Sequence, residues 1–218
     1  MVYLPRTNLK WFQQLLVHLP PLPEQLRIVA LLDSFVLSFT EHLETNNIKY
    51  VIISGYVAIL FGRSRMSEDV DIFIENISFE KFLQFWSEIE QSYECLNTGN
   101  SFEAYNDYLN NRHAIRIAKK GSFIPNIELK FVKNDLDGYS LENRTYVKLA
   151  DKSLYLSPLE LQIPYKLFLG SEKDIEDARF LFKLFKDNLN IVLLKMFLNK
   201  LKVSDNNAKR YLGGFDDN

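Results

Sequence analysis

The sequence predicts an α/β (α+β) chain: a small mixed β-sheet with flanking helices, followed by an all-helical C-terminal bundle. Three observations predict it. Asp69 to Glu75 alternates acid and apolar residue at the two-residue period of a half-buried strand, and Ile127 to Val132 repeats the alternation. From Pro158 onward, apolar residues recur at helical spacing instead. At 218 residues and 47% hydrophobic composition the chain suffices for one compact core. The expected divisions are N-terminal helices packing on the core over 1–47, an α/β core over 48–150, a helical bundle over 151–203 and a mobile tail over 204–218.

In chain order, Thr7 to Leu19 has the spacing of a short amphipathic helix, ended by Pro20, Pro21 and Pro23. Glu24 to Leu43 continues helical with Leu32, Phe35, Val36 and Phe39 on one side, and Asn46-Asn47 is its stop. Tyr50 to Ile53 is a β-branched apolar run suited to a buried strand. Ser54-Gly55 follows as a sharp turn, then Tyr56 to Phe61 as a short helix that Gly62 ends. Ser78 to Glu90 carries an aromatic stripe at helical spacing, Phe79, Phe82 and Trp86, which reads as core. Phe102 to Leu109 is a further short helix and Arg112 to Ala118 a strand. Asp135, Asp137 and Gly138 read as a turn. Pro158 starts a helix over Leu159 to Leu169 that Gly170 closes; Lys173 to Lys186 and Ile191 to Leu201 are two more.

A net charge of −2 excludes a strongly basic nucleic-acid coat, leaving only a local gathering of Arg112, Arg116, Lys119 and Lys120. Cys95 is the single cysteine, so no intramolecular disulfide or thiolate cluster forms. His18 and His42 stand at no ligand-like spacing. No apolar run approaches the ~20 residues of a membrane span, and the N-terminus lacks a signal-peptide layout, so the expectation is a soluble, cytoplasmic protein with no membrane partner.

The stretch that carries chemistry is Lys49 to Glu75. Backbone amides at the Ser54-Gly55 turn suit an anion such as a triphosphate. Asp69 and Asp71 share one strand face, where two carboxylates repel unless a cation lies between them, and a hard ion such as Mg2+ or Mn2+ suits them. The bland alternative is an acidic face in water, paired with Arg63 or Arg65; the turn at the right distance favours the metal reading. Glu128, sharing a face with Lys130, is the expected third acid, with Asp135 and Asp137 as rivals. Neighbouring carboxylates would raise its pKa and suit it to a general base.

With a Ser54-Gly55 turn, a short helix and Asp69-x-Asp71 on the next strand, the sequence resembles the nucleotidyltransferase superfamily. The resemblance implies that Ser54 and Gly55 hold a nucleoside triphosphate such as ATP, and that Asp69, Asp71 and Glu128 bind magnesium or act as base. Arg63 and Arg65 would reach the phosphates. Glu160, Lys166 and the run Ser171 to Ala178 are similar to the lysine helix and Lys-Asp-x-x-Asp segment of AbiEii-type nucleotidyltransferases, toxins of toxin–antitoxin systems related to the MenT enzymes that modify transfer RNA. By that resemblance Lys166 contacts the triphosphate, supported by Lys173, Asp174 and Asp177; the plain alternative is surface ion pairing on one helix. The implied reaction moves a nucleotidyl group to an acceptor hydroxyl, on tRNA, a protein or a small molecule such as an aminoglycoside, with an antitoxin as implied partner. The alternative is an inactive binding or regulatory module on the same fold. Leu19 to Asp33 also resembles the proline-led spacer of type I restriction specificity subunits.

Overall fold

The computed structural model describes residues 24–149 and 152–214; Thr7 to Leu19, His18 and the first part of the restriction-like stretch lie outside them. Helix α1 (Glu24–Thr45) runs 22 residues, and Asn47, at φ 53°, turns the chain out of it. Strand β1 (Tyr50–Ile52) is wholly buried, as its unbroken apolar run requires. Short helix α2 (Gly55–Leu60) is buried along its length, with Gly62 at φ 97° beyond it. Strand β2 (Asp69–Ile74) alternates half-buried and buried positions, and α3 (Phe79–Ile89) is capped by Ser78, whose side chain accepts from the Lys81 N–H.

Strands β3 (Tyr93–Cys95), β4 (Ile115–Lys119) and β5 (Asn126–Phe131) follow, with a helical turn Ser101–Glu103 and a π-helical stretch Ala104–Leu109 between β3 and β4. Helix α4 (Asp135–Glu142) precedes a hairpin of β6 (Thr145–Leu149) and β7 (Lys152–Leu156). Four helices end the described chain: α5 (Leu159–Leu169), α6 (Glu172–Phe185), α7 (Ile191–Lys200) and α8 (Asp205–Leu212).

The sheet has seven strands in the order β3-β4-β5-β2-β1-β7-β6. It is mixed: β2 pairs antiparallel with β1 and parallel with β5, and β1 pairs parallel with β7. The sheet therefore continues to Leu156. The β6–β7 hairpin joins it through few residues. Ile52 is opposite Leu156, the Arg144 guanidinium donates to the Tyr50 carbonyl at 2.8 Å, and that guanidinium lies 3.8 Å from the Tyr155 ring centre. One sheet face buries Val70, Ile72, Ile74, Ile127 and Leu129. Against the wider core Phe39 sets its ring edgewise on Phe85 at 5.9 Å and Tyr93 at 5.5 Å.

Two expectations are corrected. Asp135 to Gly138 is no turn but the start of α4: Asn134 caps it by accepting from the N–H groups of Leu136 and Asp137, so Gly138 sits inside a helix. Residues 204–212 are likewise not a loose tail. Ser204 caps α8, and Ala208 is buried against the core; of the expected tail only residues 215–218 lie outside the described chain. No helix among the described residues is long and apolar enough to cross a membrane.

Candidate active site

The second sheet face carries the candidate residues. In the β2–β5 register Asp69 lies opposite Asn126, Asp71 opposite Glu128 and Phe73 opposite Lys130, so the two acids of β2 and the acid of β5 form one patch. The turn is bound directly to it, because the Ile53 N–H donates to the Asp71 carbonyl at 3.0 Å. Ser54 has φ 64° and ψ −137°, a conformation that a non-glycine residue adopts only under strain of order 1–3 kcal/mol. Two groups hold it there. Gln162 Nε2 on α5 donates to the Ser54 carbonyl at 2.9 Å, and the Arg65 guanidinium lies so close over Gly55 that an added Cβ would meet Nη2 at 2.6 Å. Tyr56 turns the other way: its hydroxyl donates to Asp33 Oδ1 at 2.6 Å in the core.

Arg63, Arg65 and Lys166 converge on one carboxylate. Asp177, on the buried side of α6, has no exposed surface. It accepts from Arg63 Nη1, from Arg65 Nη1 at 2.8 Å and from Lys166 Nζ at 2.7 Å. Arg63 also binds Glu176, and Lys166, 1% exposed, reaches Asp174 Oδ1 at 2.9 Å. Burial pulls Lys166 below the usual lysine range, against the attraction of Asp174. For Asp174 the upward push of burial is outweighed by the hydrogen bonds of Ser171 and Lys166, which leave it below the usual carboxylate range. The reading of Asp174 and Asp177 as surface ion pairs is thus corrected for Asp177, and the guanidiniums of Arg63 and Arg65 are engaged by protein carboxylates. Lys173, named with them, takes part through its carbonyl, 3.3 Å from Arg63 Nη1.

From this hub a relay returns to the sheet. Arg65 Nη2 donates to Ser67 Oγ at 3.4 Å, and Ser67 Oγ donates to Asp69 Oδ1 at 3.2 Å. Ser67 was not singled out by the sequence, since a serine in a polar loop carries no signal of its own.

The acid patch also holds two cations. Lys130 Nζ is 2.6 Å from Asp71 Oδ1 and 3.0 Å from Glu128 Oε2, while Arg116 Nη2 on β4 is 2.9 Å from Glu128 Oε1. This corrects the expected raised pKa of Glu128: burial does push it up, but Lys130 and Arg116 outweigh burial and hold it below the usual range. The nearest charges are cations, and the carboxylate stays ionised. Arg116 is correspondingly bound to Glu128 and not part of an open basic track. Among the described residues no three His, Cys, Asp or Glu side chains come together as a metal-holding group. The two-acid set fits better: Asp69 and Asp71 are hard oxygen donors two residues apart on one strand face, and Asp69 carries the neutral Ser67 hydroxyl, so the pair suits a magnesium or manganese ion.

Beside the turn a cavity of about 30 Å3 lies between β1, β2, α4 and α5, lined by Ser54, Asp137, Ser140, Gln162, Tyr165 and Lys166 among others. It has room for one water-sized group. Ser140 Oγ is buried there with no hydrogen-bond partner. Asp137, 7% exposed, accepts the Lys133 N–H at 3.0 Å, and burial pushes its carboxyl above the usual range against those bonds. Asp135, its companion as rival third acid, stands in the first turn of α4.

No family model and no curated protein matches the sequence. Among solved structures, the chain is similar to the crystal structure of an antigenic nucleotidyltransferase-like protein from Paracoccidioides brasiliensis, at 20% identity and a TM-score of 0.51, over 82% of this chain and 90% of that one. It is more distantly similar to the solution structure of the antibiotic-resistance factor ANT(2'')-Ia, at 9% identity and a TM-score of 0.44, over 78% of this chain and 90% of that one. The first likeness gives the chain a nucleotidyltransferase-like fold.

Proposed function

We propose that this chain, built on a nucleotidyltransferase-like fold, transfers a nucleotidyl group from a nucleoside triphosphate to an acceptor hydroxyl. The observation that supports it is the strained Ser54 turn, hydrogen-bonded through Ile53 to the strand that presents Asp69 and Asp71 side by side. In the proposed reaction the acceptor oxygen bonds to the α-phosphorus, the bond to the bridging oxygen breaks, and pyrophosphate leaves with that electron pair.

Asp69 and Asp71 would hold magnesium, whose charge offsets that of the phosphates. At the Ser54-Gly55 turn the absence of a Cβ at Gly55 lets the Arg65 guanidinium lie against the backbone, which sets a positive charge beside the turn proposed to receive the triphosphate. Arg65 and Ser67 fix the Asp69 carboxylate. Lys166, its ammonium held by Asp174 and Asp177, forms part of the cavity wall beside Ser54. Glu128, held ionised, steadies Lys130 and Arg116 rather than carrying a proton. For the acceptor we carry forward the 3′ end of tRNA, with a protein hydroxyl second. For the biological role we carry forward a toxin held by an antitoxin; both rest on the resemblance of Lys166 and Ser171 to Ala178 to AbiEii-type enzymes.

A second reading, a nucleotide-binding module without turnover, is favoured by the neutralisation of Glu128. One experiment separates the two. The purified chain is incubated with magnesium, each α-labelled nucleoside triphosphate, total RNA and protein extract, beside Asp69→Ala and Asp71→Ala. Transfer of label that falls on the order of a thousandfold in either variant supports the enzyme and names its acceptor. Bound nucleotide with no labelled product supports the module.

A further inference from the structure

We infer that Lys130 is a built-in cation that occupies the position a second divalent ion would take between Asp71 and Glu128, so that the acid patch accepts a single divalent ion. The register places it there. Asp71 and Glu128 are paired across β2 and β5, and Lys130, two residues further along β5, points to the same face with its ammonium between them, 2.6 Å and 3.0 Å from the two carboxylates. The site is sheltered, with the Asp71, Glu128 and Lys130 side chains 19%, 17% and 20% exposed, so these charges interact more strongly than a surface pair would.

Both Glu128 oxygens are taken, Oε1 by Arg116 and Oε2 by Lys130. A divalent ion bridging Asp71 and Glu128 would have to expel an ammonium that already hydrogen-bonds each. A two-ion site needs carboxylates to offset four positive charges held about 4 Å apart. Here Asp69, Asp71 and Glu128, set against Lys130 and Arg116, leave one negative charge, enough to attract one ion and placed where Asp69 is. Glu128 is therefore a positioning residue for Lys130, and not a metal ligand. The assignment of the remaining ion to Asp69 and Asp71 rests on the function proposed above; the exclusion of a second ion by Lys130 does not.

The test is the number of Mn2+ ions bound per chain, read from free Mn2+ by electron paramagnetic resonance in a titration with the metal alone. The natural chain is compared with Lys130→Met, Lys130→Met/Glu128→Gln and Asp69→Asn, each checked by its thermal melt. Lys130→Gln, which keeps the stem and a hydrogen bond without the charge, replaces Lys130→Met should that variant not fold. Expected is one more ion in the Lys130 variant than in the natural chain, bound at least tenfold more tightly than at any such site of the parent, and its loss when Glu128→Gln is added. Equal stoichiometry in the natural chain and the Lys130 variant overturns the inference. A natural chain that binds no ion, with a variant that binds one dependent on Glu128, leaves Lys130 as proposed and tells against the Asp69–Asp71 ion instead.

Discussion

Replacing Asp177 by Asn is the sharpest perturbation the fold offers. The carboxylate is completely buried and answers three cations from two segments: Arg63 and Arg65 from the loop before β2, and Lys166 from α5. The amide keeps one acceptor oxygen but turns a donor N–H2 group toward the cations, so at least one loses its partner. Arg65 is affected most, since Asp177 is its one carboxylate partner among the described residues, whereas Lys166 keeps Asp174 and Arg63 keeps Glu176. Removing one member of a buried ion pair costs about 3–5 kcal/mol, and in a chain of this length each kcal/mol lowers Tm by about 2–4 °C. The expected fall in a calorimetric or circular-dichroism melt is therefore roughly 6–20 °C. The control is Glu176→Gln. Its side chain is 54% exposed and bound to Arg63, so its loss should cost about 0–1 kcal/mol. Equal, small shifts for the two variants would refute the idea that Asp177 is the anchor of the loop.

Three further outcomes follow from the same geometry. Ser54→Gly removes the strain at φ 64°, at some cost in chain entropy, and should raise the urea midpoint by an amount equivalent to about 1 kcal/mol; a lower midpoint would contradict the strain. Gly55→Ala drives a Cβ against Arg65 Nη2, which Asp177 prevents from moving away; we expect a loss of about 1–3 kcal/mol that shrinks in an Arg65→Ala background, measured as a double-mutant cycle. Asp174 and Glu128 both sit below their ordinary pKa values of 3.8 and 4.5. Their contribution is complete above those values and is lost as pH falls through the lower folded-state values, so urea unfolding at a series of pH values should show stability declining below about pH 4, less steeply in Asp174→Asn. A decline centred between pH 5 and 7 would assign the acid sensitivity elsewhere.

Much of this arrangement was readable from residue order, for reasons that also mark where reading stops. Strand β2 announces itself because Asp69, Asp71 and Phe73 alternate with Val70, Ile72 and Ile74, and one face is buried while the other is not. Helix α3 does so through Phe82, Phe85, Trp86 and Ile89. Strand β3 was missed because three residues with one buried position hold no period. Strands β6 and β7 are not legible although Val147 and Leu154 are buried, because Lys148 faces the open side and Lys152, on the face of Leu154, is exposed at the strand's start, so neither run shows a clean alternation. Helix α4 was mistaken for a turn since Asn134, Asp135 and Gly138 are turn residues, and only the cap reveals them as a helix start. In the site, the shared face of Glu128 and Lys130 was legible, but not that Lys130 would reach Asp71, which depends on the register of two strands 59 residues apart in sequence. The burial of Asp177 is hidden for a related reason: an acid beside Ala178 is tolerable inside because Lys166 meets it together with Arg63 and Arg65, which stand 114 and 112 residues earlier.

That long-range tie has a consequence for how the protein comes into being. Arg63 and Asp177 are 114 residues apart, and a ribosome adding about 5–20 residues per second takes roughly 6–23 s to cover that distance. Through the interval the nascent chain already carries Asp69 and Asp71, yet the loop that aims Asp69 has no anchor, because Arg65 has no carboxylate to grip. The acid pair is thus made early and locked late. A polypeptide released before α6 is complete carries both acids without the carboxylate that anchors the loop beside them.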